Sequence, residues 1–170
     1  GRLVEIAVLD GERRAGNGHC LPAGPLRERI SRLNRVNWLV VNGKPATERE
    51  QRMTFSIDTL HRVDGSGVER PLSEWKGQAV HAVAGIGHPE RFFAMLKRAG
   101  LKVVSHPFAD HYPYGPSDLA FGDDLPVVMT EKDAVKCRQF AQSDWWSVPV
   151  RAELDPAFEK GLLRQIENKR

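Results

Sequence analysis

Cysteine is nearly absent from this 170-residue chain: Cys20 and Cys137 are the only two, and neither belongs to a CxxC pair. That excludes a disulfide framework and a CxxC-type zinc or redox site, and a reducing, cytoplasmic setting is expected. Long apolar runs are missing too. WLVV at Trp38–Val41 is closed off by Asn37 and Asn42, far short of the roughly 18 residues of a membrane span, so any membrane contact is expected to be peripheral. Charge of one sign is scarce: 25 Lys and Arg against 22 Asp and Glu leave a formal charge of +3. This excludes a nucleic-acid-coating protein but leaves room for a local anion site. The phosphate loop GxxxxGK[ST] is also missing. Gly11 and Gly16 have its interval, but Asn17 stands where a Lys must reach the β and γ phosphates. By itself the chain cannot build a phosphoryl-transfer site.

What is present is a globular alternation of strands and helices. LVEIAVLD, Leu3 to Asp10, is apolar at nearly every position, the pattern of a strand inside a parallel sheet covered on both faces. Because Gly1 leads almost directly into it, the chain reads as one cut in its middle, with sheet neighbours missing. A Gly-rich loop, Gly11 to Glu28, follows, and loops of that length are functional or flexible. Pro25 to Leu33 is expected to be a helix, with Pro25 in its first turn and Leu26, Ile30 and Leu33 at helical spacing. Trp38–Val41 reads as a short buried strand, and Met53 to His61 as one half-exposed antiparallel strand. From Ala79 onward strands and helices alternate: Ala79 to Gly87, Pro89 to Gly100, Leu101 to His106, Leu125 to Thr130, Glu131 to Ala141 and Trp145 to Val150. Asp155 to Ile166 closes the chain as a helix capped by Asp155. The expected fold is an α/β, mostly parallel α/β/α sandwich with an antiparallel β segment.

Open parallel sheets bind ligands beyond the carboxyl ends of their strands, which singles out four segments. The Gly11–Glu28 loop ends in Arg27, which either grips phosphate with two N–H groups from a helix start or forms an ordinary surface salt bridge. GIGHPE, Gly85 to Glu90, is either a phosphate-cradling turn or a close strand-to-helix packing. In FADHYPY, Phe108 to Tyr114, an extended backbone would send Asp110 and His111 to opposite sides. His111 is either a proton carrier and phosphate donor or a structural histidine, and a metal pair with His106 is a further option. In TEKDAVK, Thr130 to Lys136, either Lys132 and Asp133 meet a purine or the segment is a simple N-terminal helix cap with Glu131 and Asp133 favouring the dipole. Two alternatives to an ATP-using enzyme therefore stay open: a non-catalytic nucleotide- or sugar-phosphate-binding module, and a metal-dependent hydrolase using Asp110, His111 and His106.

Taken together, DGERRAGNGHCLPAGPLRE, VAGIGHPERFFAML, FADHYPY and LPVVMTEKDAVKC resemble consecutive motifs of the tetraacyldisaccharide 4'-kinases, the lipid A 4'-kinases of Gram-negative bacteria. The resemblance implies the second half of a longer P-loop kinase, inactive alone, that moves the ATP γ-phosphate to the 4'-hydroxyl of a lipid A precursor disaccharide. It implies Mg²⁺ as cofactor, with metal ligands and phosphate loop upstream of Leu3 and none within this chain. The implied setting is peripheral, on the cytoplasmic face of the inner membrane. The implied division is residues 1–45 as the end of a nucleotide-binding domain, 46–77 as a linker with antiparallel strands, 78–150 as a C-terminal α/β/α domain and 151–170 as a closing helix and tail. Carried onto matching positions, it makes Arg27 and His111 catalytic and Glu28, Lys132 and Asp133 nucleotide-binding. Arg13, Arg14, Arg29, Arg32 and Arg35 either favour anionic headgroups, at about 1 kcal/mol each near a membrane surface, or form an ordinary solvated polar face.

Overall fold

The computed structural model describes residues 3–168. In chain order the elements are β1 (Ile6–Asp10), β2 (Trp38–Asn42), β3 (Glu50–Ser56), β4 (Thr59–Arg62), β5 (Glu69–Pro71), β6 (Ala79–Ala84), α1 (Pro89–Arg98), β7 (Lys102–Pro107), β8 (Val127–Thr130), α2 (Glu131–Cys137), β9 (Trp145–Val148), β10 (Arg151–Leu154) and α3 (Pro156–Glu167). They form two compact units. One runs to Ser56 and resumes at Arg151; the other is Ile57–Val150.

In the second unit six strands lie in the order β5-β4-β9-β8-β6-β7. β9, β8, β6 and β7 run parallel, and β4 and β5 turn antiparallel at one side. The AVHAVA run explains why β6 is central. Its apolar residues are fully or largely buried and alternate between faces: Val80, Ala82 and Ala84 pack with Phe92, Phe93 and Leu96 of α1, while Val83 packs with Met129, Tyr114 and Trp145. Each such fully buried Phe, Leu or Met contributes about 1.5–3 kcal/mol. Pro89 starts α1, and Gly100 just beyond it takes φ +95°, the left-handed conformation that glycine adopts without a Cβ penalty.

The first unit holds a four-stranded sheet in the order β1-β2-β3-β10, parallel except for β10. Its core joins Val40 and Met53 to Phe158 of α3. Asp155 caps α3 by accepting from the Ala157 N–H at 2.7 Å, and Pro156 follows in the first turn. β1 is not enclosed among the described residues: it pairs only with β2, and Ile6 and Val8 are exposed.

Two expectations change. Met53 to His61 is not one strand, because Ile57 and Asp58 separate β3 from β4, which join different sheets. At that break the Asp58 carbonyl accepts from Leu72 N–H instead of extending a ladder. The helix expected over Pro25–Leu33 shrinks to a 3₁₀ segment at Ile30–Arg35. Leu26 is held back by bonds to His19 and Leu21, and Arg29 is extended, so the first helical turn cannot form.

Gly161 gives a test of how α3 seats. In a helix interior Gly→Ala gains up to about 1 kcal/mol from propensity. Here an added Cβ would lie 2.7 Å from the Trp38 ring. That ring is fixed edge-on against Phe158 and donates from Nε1 to Gln165 Oε1 at 2.7 Å. Overpacking costs about 1–3 kcal/mol and outweighs the propensity gain. Gly161→Ala is therefore expected to lower the chemical-denaturation midpoint, and a raised midpoint would show that Trp38 yields.

Candidate functional site

β8, β6 and β7 are parallel neighbours, so the segments after their carboxyl ends emerge from one edge of the sheet. After β8, Thr130 caps α2: its Oγ1 accepts from Asp133 N–H at 3.2 Å and donates to Asp133 Oδ2 at 2.6 Å. The same Oδ2 accepts from Gly85 N–H at 2.9 Å, and Oδ1 accepts from Lys136 Nζ at 3.0 Å. Asp133 has no exposed surface. Sequence neighbours thus face opposite ways. Asp133 points into the protein, whereas Lys132 reaches outward to Asp110 Oδ1 at 3.0 Å and comes within 3.5 Å of His111 Nε2. That lysine contact holds the Asp110 carboxyl below its ordinary range.

The FADHYPY loop is shaped by its rings. Phe108, Tyr112 and Tyr114 pack mutually with centroids 4.8–5.2 Å apart, and Tyr112 also donates to Asp118 Oδ1 at 3.3 Å. With three aromatics turned in, Asp110 and His111 are left exposed. The extended backbone expected there is not formed. His111 takes φ +62° and donates its N–H to Gly85 O at 3.3 Å, so Asp110 and His111 share Lys132 instead of diverging, with His111 Nε2 3.8 Å from Asp110 Oδ2. A left-handed non-glycine residue is uncommon, and such residues gather at functional sites. The GIGHPE turn is a close-packing device at its first glycine: a Cβ on Gly85 would sit 2.5 Å from Tyr114 Oη and 3.1 Å from Asp133 Oδ1. Tyr114 Oη is buried without a hydrogen-bond partner, and burial beside the Asp133 carboxylate pushes its pKa well above the usual phenol range.

In the first unit the loop after β1 is ordered by its own polar groups. Asp10 Oδ1 accepts from the Glu12 and Arg13 N–H groups, Asn17 Nδ2 donates to Ala23 O at 2.8 Å, and Cys20 bridges Leu26. Arg27 follows this knot in irregular chain, so no helix dipole stands behind it. It is exposed, lines an open depression of about 600 Å³ beside β1, and makes no hydrogen bond or ion pair among the described residues. Glu28 is also exposed, 3.3 Å from Arg32 Nε. Among the arginines expected to serve headgroups, Arg32 and Arg14 are committed elsewhere. Arg32 donates to both Glu5 oxygens at 2.7 and 2.6 Å, and Arg14 holds Glu50 at 2.7 Å and Lys44 O at 3.0 Å.

His106 does not join His111. His81 Nδ1 lies 2.9 Å from His106 Nε2, His81 Nε2 lies 2.9 Å from Asp123 Oδ1, and Phe121 stacks on His106 at 4.0 Å. The hydrolase reading thereby loses one of its three groups. No three His, Cys, Asp or Glu among the described residues converge as a metal site, so these residues do not by themselves fit the Mg²⁺ that the family resemblance implies. The signal missed in the sequence was the pair of histidines on adjacent strands, which two-residue alternation places on one sheet face.

These features define a mostly parallel α/β protein whose exposed polar groups gather beyond strand ends, where such sheets take their ligands. Residues 1–167 match the family model described as tetraacyldisaccharide-1-P 4'-kinase, LpxK. The chain is 49% identical over 178 residues to the tetraacyldisaccharide 4'-kinase of Stenotrophomonas maltophilia strain R551-3, covering 99% of this chain and 52% of that protein. It is 51% identical over 177 residues to the enzyme of the same name from Xanthomonas axonopodis pv. citri, covering 97% and 51%. Among solved structures it resembles LpxK from Aquifex aeolicus in complex with ATP, with a TM-score of 0.74 and 25% identity over 99% of this chain and 53% of that one. The chain belongs to the tetraacyldisaccharide 4'-kinase family. It spans about half the length of the curated relatives it matches.

The histidine pair generates a pH prediction. Burial, with His81 alongside, lowers the His106 pKa from its ordinary 6.5. The unfolded chain therefore takes a proton near pH 6.5 that the folded chain resists, so this contribution is complete above pH 6.5 and is lost as pH falls below it. Denaturation midpoints are expected to drop between pH 7.5 and 5.5, and by less in His106→Gln. An equal drop in both proteins would remove His106 as the cause.

Proposed function

We propose that this chain is the carboxy-terminal half of an ATP-dependent kinase that phosphorylates the 4'-hydroxyl of a lipid A precursor disaccharide, and that it is inactive alone. The observation that carries the proposal is the continuous family match over residues 1–167, spanning about half of each relative. An apolar β1 left at a sheet edge, with Ile6 and Val8 exposed, also fits a chain whose sheet continues elsewhere.

Phosphoryl transfer asks the protein for positioning and charge neutralisation more than for covalent chemistry. Arg27, exposed and uncommitted, is assigned to phosphate oxygens, which a guanidinium holds through two parallel N–H groups. Glu28 stands beside it. His111, set between Lys132 and Asp110, is assigned to the transferring phosphate as a donor or to the orientation of a catalytic carboxylate. Lys132 serves the nucleotide or holds His111 in place. Mg²⁺ would supply charge neutralisation from ligands outside the described residues. No helix among the described residues is long and apolar enough to cross a membrane. Peripheral contact with the inner membrane belongs to the same proposal, with Arg29 and Arg35 exposed toward anionic headgroups.

In the full-length protein assayed with ATP and the lipid disaccharide, Arg27→Ala and His111→Ala are each expected to lower kcat on the order of 10²–10³-fold. Unchanged rates would remove these roles. His111→Gly separates chemistry from folding, because a left-handed position costs a side-chain-bearing residue about 1–2 kcal/mol that glycine avoids. Its denaturation midpoint is expected to be no lower than that of the unaltered protein while its turnover falls as far as that of His111→Ala.

A further inference from the structure

Gly85 is gripped from both sides. Its N–H is taken by the buried Asp133 carboxylate at 2.9 Å, and its C=O takes the His111 N–H at 3.3 Å. The grip is narrow, since a Cβ at Gly85 would strike Tyr114 Oη and crowd Asp133 Oδ1 and Ala109 O. On the far side of the same helical turn, Lys132 holds the Asp110 and His111 side chains. One turn, Thr130–Asp133, therefore reaches His111 twice, through backbone by way of Gly85 and through side chains by way of Lys132. Asp133 has no exposed surface with which to meet a nucleotide, and its carboxylate is filled by Gly85, Thr130 and Lys136.

We propose that Asp133 is a positioning residue: its carboxylate anchors the Gly85 peptide, and that peptide holds His111 in the left-handed conformation that presents the imidazole. The inference rests on His111 acting in the kinase reaction, but the coupling can be measured without activity.

Removing Asp133 alone would strand the Lys136 charge against a buried site. Two charge-balanced variants of the full-length protein avoid this. Asp133→Asn with Lys136→Met keeps an amide oxygen free to accept from Gly85 N–H. Asp133→Ala with Lys136→Met removes the acceptor. In hydrogen exchange read by mass spectrometry, the peptide covering residues 109–113 is expected to exchange about tenfold faster in the Ala pair than in the Asn pair, the size of one lost hydrogen bond, with β6 and β8 peptides alike in both. kcat is expected to fall further in the Ala pair, on the order of 10²-fold below the unaltered protein, with the KM for ATP unmoved. On a His111→Ala background the two pairs should turn over equally. Equal exchange at 109–113 in the two pairs would overturn the proposal. Full turnover of His111→Ala would instead remove the catalytic reading of His111, leaving the exchange comparison to decide the positioning.

Discussion

A carboxylate with no exposed surface is tolerated only when its lost hydration is replaced group by group. Asp133 meets that condition with an ammonium from Lys136, a hydroxyl from Thr130 and a peptide N–H from Gly85. Much of the second unit's exposed chemistry depends on this arrangement. The three partners come from α2, the end of β8 and the turn after β6, so the carboxylate fastens neighbouring strand ends together just where their following segments diverge. Tyr114 Oη, 2.5 Å from where a Gly85 Cβ would sit, closes the same point from the FADHYPY loop. A parallel sheet lines up its strand ends but does not order the segments beyond them; here that ordering comes from a buried carboxylate held by a partly exposed lysine, a hydroxyl and a peptide N–H.

The elements legible from the sequence were those whose residues meet a single requirement. AVHAVA and LPVVM are apolar on both faces and became β6 and β8 in the middle of a covered sheet. Pro89 with a Phe92, Phe93 and Leu96 stripe, and Asp155 with Pro156, became α1 and the capped start of α3. Elements failed where two requirements competed. Pro25 to Leu33 has helical spacing, but Leu26 forms backbone bonds to His19 and Leu21, which the loop's own closure supplies. Met53 to His61 alternates throughout, yet alternation does not say that the chain changes sheets midway, as it does where β3 pairs with β2 and β10 but β4 with β5 and β9.

The candidate site divides the same way. Residue type and position past a strand end were enough to single out Arg27, His111 and Lys132, because exposed polar groups there need no tertiary knowledge to be noticed. Their conformations were not legible. Asp110 and His111 should diverge in an extended chain, but packing three aromatic rings inward at 108, 112 and 114 bends the backbone until His111 is left-handed. The roles of Lys132 and Asp133 could not be separated either, since helical geometry at a cap sends adjacent side chains about 100° apart, and which one meets the protein depends on where Gly85 lies.

Charge in the first unit follows the same logic of commitment. Arg14 and Arg32 are spent on Glu50 and on Glu5 with Glu28, contacts that tie β1, β3 and the loop into one body. An arginine held by two carboxylate oxygens has little left for an external phosphate, because the planar fork that makes guanidinium a good phosphate ligand is already occupied. Arg27, like the exposed Arg29 and Arg35, is left out of these pairs. Its neighbours are rigid, as the loop before it is closed by Asn17, Cys20 and Leu26, while its own side chain has no internal partner among the described residues. A cation that stays free on an ordered backbone loses less freedom when an anion arrives than one on a mobile loop, and that freedom, more than the number of arginines nearby, is what suits Arg27, unlike Arg14 and Arg32, to a phosphate.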